Sequence, residues 1–120
     1  MRALALSICL SLGFSMPIIA QEVSQGTGAV LRGLEKVNGK VFDMELANGE
    51  SYAIDRLLIT LSECRYPTDN PSGEAYALLT ITETETANPV FQGWMVASSP
   101  ALNALEHPRY DVWVLRCKTE

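Results

Sequence analysis

Two Asn-Gly pairs, Asn38-Gly39 and Asn48-Gly49, stand ten residues apart, each between segments that alternate apolar and polar residues. Asn and Gly tolerate the positive φ of tight hairpin turns, so this pattern favours short antiparallel strands. A two-residue turn at the first pair would place Arg32 opposite Glu45. At the second, a three-residue loop, Ala47–Gly49 with Gly49 left-handed, keeps the apolar residues on one face. We therefore expect a β-meander that begins near residue 29.

Further segments have strand composition. Leu57–Cys64 alternates apolar and polar residues, with Cys64 expected on the polar side beside Thr60. Arg65–Glu74 holds two prolines, a glycine and an Asp-Asn pair, which predicts a loop. Later strands are expected at Ala75–Thr82, Val90–Val96 and Tyr110–Cys117. The fold class is then mainly β, a small antiparallel barrel or sandwich of about seven strands.

One short helical turn is predicted before the last strand. Ser98 or Ser99 can cap it, Pro100 suits its first turn, and Pro108 ends it. The apolar residues of this turn are expected to pack inward: Ala101, Leu102, Ala104 and Leu105.

The N-terminal residues 1–20 have the features of a secretory signal peptide. Arg2 supplies the positive charge, an apolar core follows, and Pro17–Ala20 is suited to cleavage. The core is too short for a membrane span, which needs about 20 apolar residues. Cys9 follows Ile8, where lipoprotein processing needs a small residue, so no lipid anchor is expected. The chain is therefore expected to be exported.

The remaining residues are enough for one small domain. Residues 21–28 are polar and are expected to form a flexible lead-in to a single disulfide-bonded β domain at 29–120. The formal net charge of −5 argues against nucleic acid as a partner.

Two cysteines, Cys64 and Cys117, lie beyond the signal peptide. Export places them in an oxidising compartment, so the simplest prediction is one disulfide between them. The alternative, a metal site or a redox pair, lacks both a C-x-x-C spacing and a neighbouring histidine.

Ser98, Ser99, His107 and Asp111 supply the residue types of a nucleophile, a base and an orienting group. No G-x-S-x-G motif accompanies them, and capping explains the serines. A small envelope hydrolase is therefore the alternative function, and no residue is assigned as catalytic. The oxygen donors of Asp69–Glu74 lack calcium-loop spacing, so neither a metal nor a cofactor is expected.

Aromatic residues could either fill the core or line a sugar-binding groove. Trp113 alternates with Leu115 and Cys117 and is expected to be buried, whereas Trp94, beside Gly93, is the better candidate for exposure. The disulfide would bring Arg65 near Arg116 as an anion site, unless Glu63 and Asp111 neutralise these arginines. The candidate binding face comprises Arg65, Tyr66, Asp69, Trp94, His107, Arg109 and Arg116.

Three segments carry a family resemblance: Gly28–Val37, Glu63–Pro71 and the long tail Gly93–Cys117. Together they resemble domain of unknown function 2155, a group of small secreted proteins of Gram-negative bacteria. The resemblance implies a periplasmic address and carries over no activity or catalytic residue. The sequence therefore predicts a periplasmic, non-catalytic binding or accessory module for an envelope protein or a cell-wall component.

Overall fold

The computed structural model describes residues 12–13 and 22–120, so the predicted signal peptide lies almost wholly outside the described part. Residues 22–120 contain no helix. They form eight β-strands: β1 (Val23–Gln25), β2 (Gly28–Glu35), β3 (Lys40–Ala47), β4 (Ser51–Ile54), β5 (Leu57–Pro67), β6 (Tyr76–Glu83), β7 (Asn88–Val96) and β8 (Tyr110–Lys118).

The strands form two antiparallel sheets packed face to face, which confirms the mainly β prediction and selects a sandwich rather than a closed barrel. The larger sheet has the order β1-β5-β6-β7, and β4 pairs with β5 on the same side as β1. The smaller sheet has the order β3-β2-β8. Strand β1 lies within the predicted lead-in, and it pairs with Arg65–Pro67, which the sequence had assigned to a loop.

The core between the sheets is mainly aliphatic, with Leu and Ile from the larger sheet facing Leu, Met and Val from the smaller one, and it also buries Phe91 and Tyr110. Each such side chain stabilises the fold by about 1.5 to 3 kcal/mol when fully buried. The largest side chains that are almost inaccessible to solvent are Leu31, Met44, Leu46, Leu57, Ile59, Leu61, Leu79, Ile81, Met95 and Val114.

The hairpin between β2 and β3 has a longer turn than predicted. Glu35 pairs with Lys40, so residues 36–39 form a four-residue turn, closed by a hydrogen bond from the Gly39 N–H to the Glu35 carbonyl. Arg32 therefore lies opposite Asp43, not Glu45, and donates to it at 2.7 and 3.1 Å. A shift of two residues leaves every side chain on its predicted face, because side chains alternate with a period of two.

Strands β3 and β4 do not form the predicted hairpin. Gly49 has a φ of +83°, as expected, but the turn that contains it passes from one sheet to the other. Two backbone hydrogen bonds hold this turn. The Asn48 N–H donates to the carbonyl of Thr27, the residue before β2, and the Gly49 N–H donates to the carbonyl of Leu61 in β5. The meander prediction is therefore wrong at this point.

Two β-bulges set which side chains face the core. In β5, Ser62 is an extra residue between Leu61 and Glu63, and it turns Cys64 onto the buried face, contrary to the prediction. In β8, Leu115 is the extra residue, so Trp113 and Cys117 lie on opposite faces. Trp113 is therefore half-buried on the outer face instead of in the core.

The bulges also explain how the disulfide forms. Cys64 and Cys117 face each other from the inner sides of the two sheets, with their Cα atoms 5.6 Å apart. The predicted disulfide is confirmed, and it ties the larger sheet to the smaller one.

The segment 97–109 forms a hydrogen-bonded turn at Ser99–Leu102 in place of the predicted helical turn. Leu105 is buried as expected, but Leu102 is 77% exposed. The segment lies along the free edge of β7, where the Asn103 side chain donates to the Trp94 carbonyl at 2.9 Å. A covered edge cannot pair with another strand, which protects a sheet from aggregation.

Candidate functional site

Trp94 lies on the outer face of the larger sheet. Its neighbour in β7, Met95, faces the core, and Leu78 of β6 is its half-buried cross-strand partner. A half-buried tryptophan on an outer face is accessible to a ligand, as the sequence predicted for this residue. We call the surrounding surface the tryptophan face, defined by Glu63, Arg65, Tyr76, Leu78, Trp94 and Val96.

Arg65 lies over the ring of Trp94, with its guanidinium carbon 5.1 Å from the ring centroid. This distance allows a cation–π interaction of about 0.5 to 1 kcal/mol at an exposed site. Glu63, two residues away on the same face of β5, holds the guanidinium at 2.6 Å. The pair leaves the tryptophan face without net charge, and neutralisation of Arg65 by Glu63 is as the sequence predicted.

A row of polar side chains crosses the sheet next to Trp94. It runs from β4 to β7 through directly paired positions, and two of its hydroxyl oxygens, on Ser51 and Thr60, lie 2.7 Å apart. Hydroxyl and amide groups can both donate and accept hydrogen bonds. The row comprises Ser51, Thr60, Thr80 and Gln92.

The other residues of the predicted binding face do not join Trp94. Tyr66 packs partly against the core and Asp69 is exposed in the loop after β5. Arg116 is exposed on the outer face of the smaller sheet. Because Cys64 and Cys117 face each other, Arg65 and Arg116 point to opposite outer faces, and they form no common anion site.

His107 and Arg109 lie at the end of the sandwich where β8 begins. The His107 Nδ1 accepts hydrogen bonds from the backbone N–H groups of Arg109 and Tyr110 at 3.1 and 3.3 Å. Arg109 lies 3.3 Å from Glu35 and 3.6 Å from Asp55. Burial, followed by the negative charge of Asp55, raises the pKa of Tyr110 above its ordinary value.

The residue types of a hydrolase are not assembled. Ser98 donates its hydroxyl to Glu74, and Asp111 lies 3.3 Å from Lys36. The His107 ring accepts its two hydrogen bonds at Nδ1, from the backbone N–H groups of Arg109 and Tyr110. The His107 carbonyl accepts a hydrogen bond from Lys36. Within residues 22–120, no hydrogen bond links His107 to a serine or to Asp111.

The family profile described as an uncharacterized protein conserved in bacteria (DUF2155) matches residues 29–117. The chain belongs to this family. An uncharacterised protein of Rickettsia prowazekii (strain Madrid E) is 32% identical over 103 residues, which cover 83% of this chain and 66% of that protein. The chain thus spans just under two thirds of that relative's length, and no solved structure matches.

Family membership confirms the resemblance carried by the three segments. Among residues 22–120, no helix is long and apolar enough to cross a membrane. The same part of the chain contains no cluster of three or more His, Cys, Asp or Glu side chains that could hold a metal ion.

The sequence reasoning missed the polar row and the cross-strand partner Leu78. Alternation in Tyr76–Thr82 could have identified which of its residues lie on the outer face of the sheet. Only the register of β6 with β5 and β7 shows that these residues flank Trp94. That register depends on the bulge at Ser62, which has no clear sequence signal.

Glu74 lies in the loop between β5 and β6. Its carboxylate accepts hydrogen bonds from Ser98, in the segment that follows β7. Burial opposes its ionisation, but hydrogen bonds from the Ser98 hydroxyl and from the Ser98 and Ala75 N–H groups outweigh this, so its pKa is lowered. The stabilisation from the ionised carboxylate is therefore present above the ordinary glutamate pKa and is lost as the pH falls through the lower folded-state value.

Replacing Glu74 by Gln is expected to lower the free energy of unfolding by about 0.5 kcal/mol at neutral pH, since the carboxylate is largely solvated. The difference from the wild type should shrink as the pH falls below the ordinary glutamate pKa, which urea unfolding at neutral and at acidic pH would measure. Asp69→Asn, an exposed carboxylate of the same loop, is the control and should change stability at neither pH. A difference for Glu74→Gln that stays constant as the pH falls into the acidic range would contradict the assignment.

Proposed function

We propose that this protein is a periplasmic, non-catalytic binding module whose tryptophan face binds the glycan strands of the cell wall. The observation that supports it is the placement of Trp94. A small domain normally needs its large aromatic side chains to fill the core, and Phe91 and Tyr110 are buried here, yet Trp94 lies on an outer face beside Arg65.

The chemistry of the face fits a sugar chain. A flat aromatic ring can stack on the apolar face of a pyranose, and its polar surroundings can hydrogen-bond the ring hydroxyls. Trp94 offers the ring, while the polar row from Ser51 to Gln92 offers donors and acceptors at adjacent positions of the sheet. Strands of a regular sheet hold these groups in a fixed array, which reduces the entropy lost on binding.

The charge of the face favours a neutral ligand. Glu63 compensates Arg65, so a phosphate-rich polymer would gain no uncompensated cation there. The periplasmic address rests on the Cys64–Cys117 disulfide, because such bonds persist in oxidising compartments. The expected signal peptide agrees with this address.

Sedimentation with purified peptidoglycan sacculi tests the proposal. The protein expressed from the full chain is expected to sediment with the sacculi, and Trp94→Ala should weaken binding roughly tenfold through loss of ring stacking. Arg65→Ala should have a smaller effect, because it supports the ring from one side.

Trp113→Ala is the matched control, since Trp113 is half-buried on the outer face of the opposite sheet. It should sediment like the wild type. Equal binding by the wild type and Trp94→Ala, or no sedimentation of the wild type, would refute the glycan proposal.

A further inference from the structure

The chain crosses from the larger sheet to the smaller one at Gly26 and Thr27, beside the disulfide. The Gly26 N–H donates to the Cys64 carbonyl at 2.7 Å, and the Thr27 N–H donates to the Lys118 carbonyl at 2.8 Å. Cys64 and Lys118 belong to different sheets, so hydrogen bonds fix the crossing to both of them. We call residues 23–27, which include β1, the N-terminal strap.

Gly26 lies against the disulfide itself. A Cβ atom on Gly26 would lie 3.2 Å from the Cβ of Cys117 and 2.6 Å from the Lys118 carbonyl oxygen, so a larger residue would hold the backbone further away. Cys64 is 0% exposed and Cys117 is 6% exposed, and both belong to the core between the sheets. A thiol can therefore reach the bond in two ways, by displacing the strap or by parting the sheets.

The strap is held less firmly than the sheets. It buries no apolar side chain, since Val23 is 44% exposed and Gly26 is the one buried residue among the five. It is attached by the pairing of β1 with Arg65–Pro67 and by a few further hydrogen bonds, one of them from the Asn48 side chain to the Gly26 carbonyl at 2.9 Å. A segment with few buried apolar contacts opens locally at a lower free energy than the whole domain.

We propose that the N-terminal strap gates reduction of the Cys64–Cys117 disulfide: local release of the strap admits a dithiol reductant while the two sheets stay packed. A thiolate of the reductant attacks the Sγ of Cys117, the residue that Gly26 covers, and the Cys64 sulfur leaves as a thiolate. The second thiol of the reductant then displaces Cys117. The reductant ends as a disulfide, and its two protons end on the two cysteines.

Reduction affects the tryptophan face because Cys64 lies between Glu63 and Arg65 in β5. Arg65 lies over the ring of Trp94, and Glu63 holds its guanidinium. The disulfide fixes this end of β5 to β8, so breaking the bond leaves the position of Arg65 over Trp94 less fixed. As a control of glycan binding, this effect rests on the proposed function.

The rate of reduction by dithiothreitol, a dithiol, tests the gate. Cys9 is replaced by Ser in every sample, so that alkylation counts the thiols of Cys64 and Cys117 alone. Local release exposes little surface, so 1 M urea is expected to change the wild-type rate by less than about twofold. Reduction through global unfolding would instead become about fivefold faster or more in 1 M urea, and that result would overturn the proposal.

Gly26→Ala is expected to speed reduction about tenfold or more, because the added methyl group forces the strap away from Lys118 and Cys117. Asn48→Ala removes one hydrogen bond to the strap and should speed reduction about fivefold. Thr84→Ala is the matched control, since it also removes one side-chain bond to a backbone carbonyl, in the turn between β6 and β7, and should leave the rate unchanged. Wild-type rates in both strap variants, or an equal gain in Thr84→Ala, would overturn the proposal.

Sedimentation with sacculi separates the gate from the proposed function. The reduced wild type should bind about threefold more weakly than the oxidised wild type, through loss of the contact between Arg65 and Trp94. Equal binding by both forms would overturn the link to the tryptophan face. If the oxidised protein does not sediment, the glycan proposal and this link both fail, whereas the reduction rates still decide the gate.

Discussion

Replacing Cys64 and Cys117 together by Ala is expected to lower the free energy of unfolding by about 4 kcal/mol. The disulfide closes a loop with a sequence separation of 53 residues, which restricts the unfolded chain strongly. It also joins the two sheets by a covalent bond, in addition to their side-chain packing and a few hydrogen bonds. For a domain of this size the loss corresponds to a fall in melting temperature of roughly 20 °C.

Urea unfolding of the wild type, the double variant and the reduced wild type would measure this effect. Reduction should reproduce most of the loss seen in the variant, because both remove the same covalent link. A loss of less than about 1 kcal/mol in both samples would show that the link between the sheets contributes little.

Replacing Gly28 by Ala is expected to destabilise the protein by about 3 kcal/mol, at the upper end for overpacking. Gly28 begins β2 and pairs with Ala47 on one side and Lys118 on the other. A Cβ atom there would lie 2.1 Å from the Leu46 carbonyl oxygen and 2.9 Å from the Ala47 Cα. Backbone atoms of a paired strand cannot move away without breaking the sheet.

Gly33→Ala in the same strand is the matched control. Its Cβ would meet the far end of the Phe42 ring at 2.5 Å, but Phe42 is only half-buried and lines a cavity into which its ring can move. We expect a loss of about 1 kcal/mol or less. Thermal unfolding of both variants would compare them, and equal destabilisation would show that backbone crowding at Gly28 is not the cause.

Local sequence patterns predicted much of the fold because they act over short distances. Alternating side chains located most strands, Gly49 adopts the positive φ expected of it, and the two cysteines pair as export implied. The short β1 was missed because three residues carry too little pattern to distinguish a strand from a flexible segment.

The errors arose where a strand departs from regular alternation. Ser62 and Leu115 each insert one residue, so the residues before and after each bulge do not share one alternation of faces. The burial of Cys64 and the exposure of Trp113 both depend on these bulges. The helical turn was predicted wrongly for a different reason. The residues expected to cap and form it instead make hydrogen bonds to Glu74 and to β7, and only a single turn forms at Ser99–Leu102.

The candidate site was predicted in part. Strand alternation places Trp94 on an outer face, and this alternation is visible in the sequence. The proximity of Trp94 to Arg65 depends on the register of β5, β6 and β7, which the sequence does not show. The wider arginine cluster could not be judged in advance, because a disulfide between facing sheets sends neighbouring side chains in opposite directions. The separation of β3 and β4 into different sheets was hidden by the expectation that the two strands form a hairpin.

The indole N–H signals of Trp94 and Trp113 in an NMR titration with soluble glycan strands released from peptidoglycan test the central claim most directly. The two tryptophans lie on the outer faces of opposite sheets, so each reports on its own surface. Binding at the tryptophan face predicts a saturable shift of the Trp94 signal and a constant Trp113 signal. A shift of Trp113 alone, or of neither signal, would contradict the account.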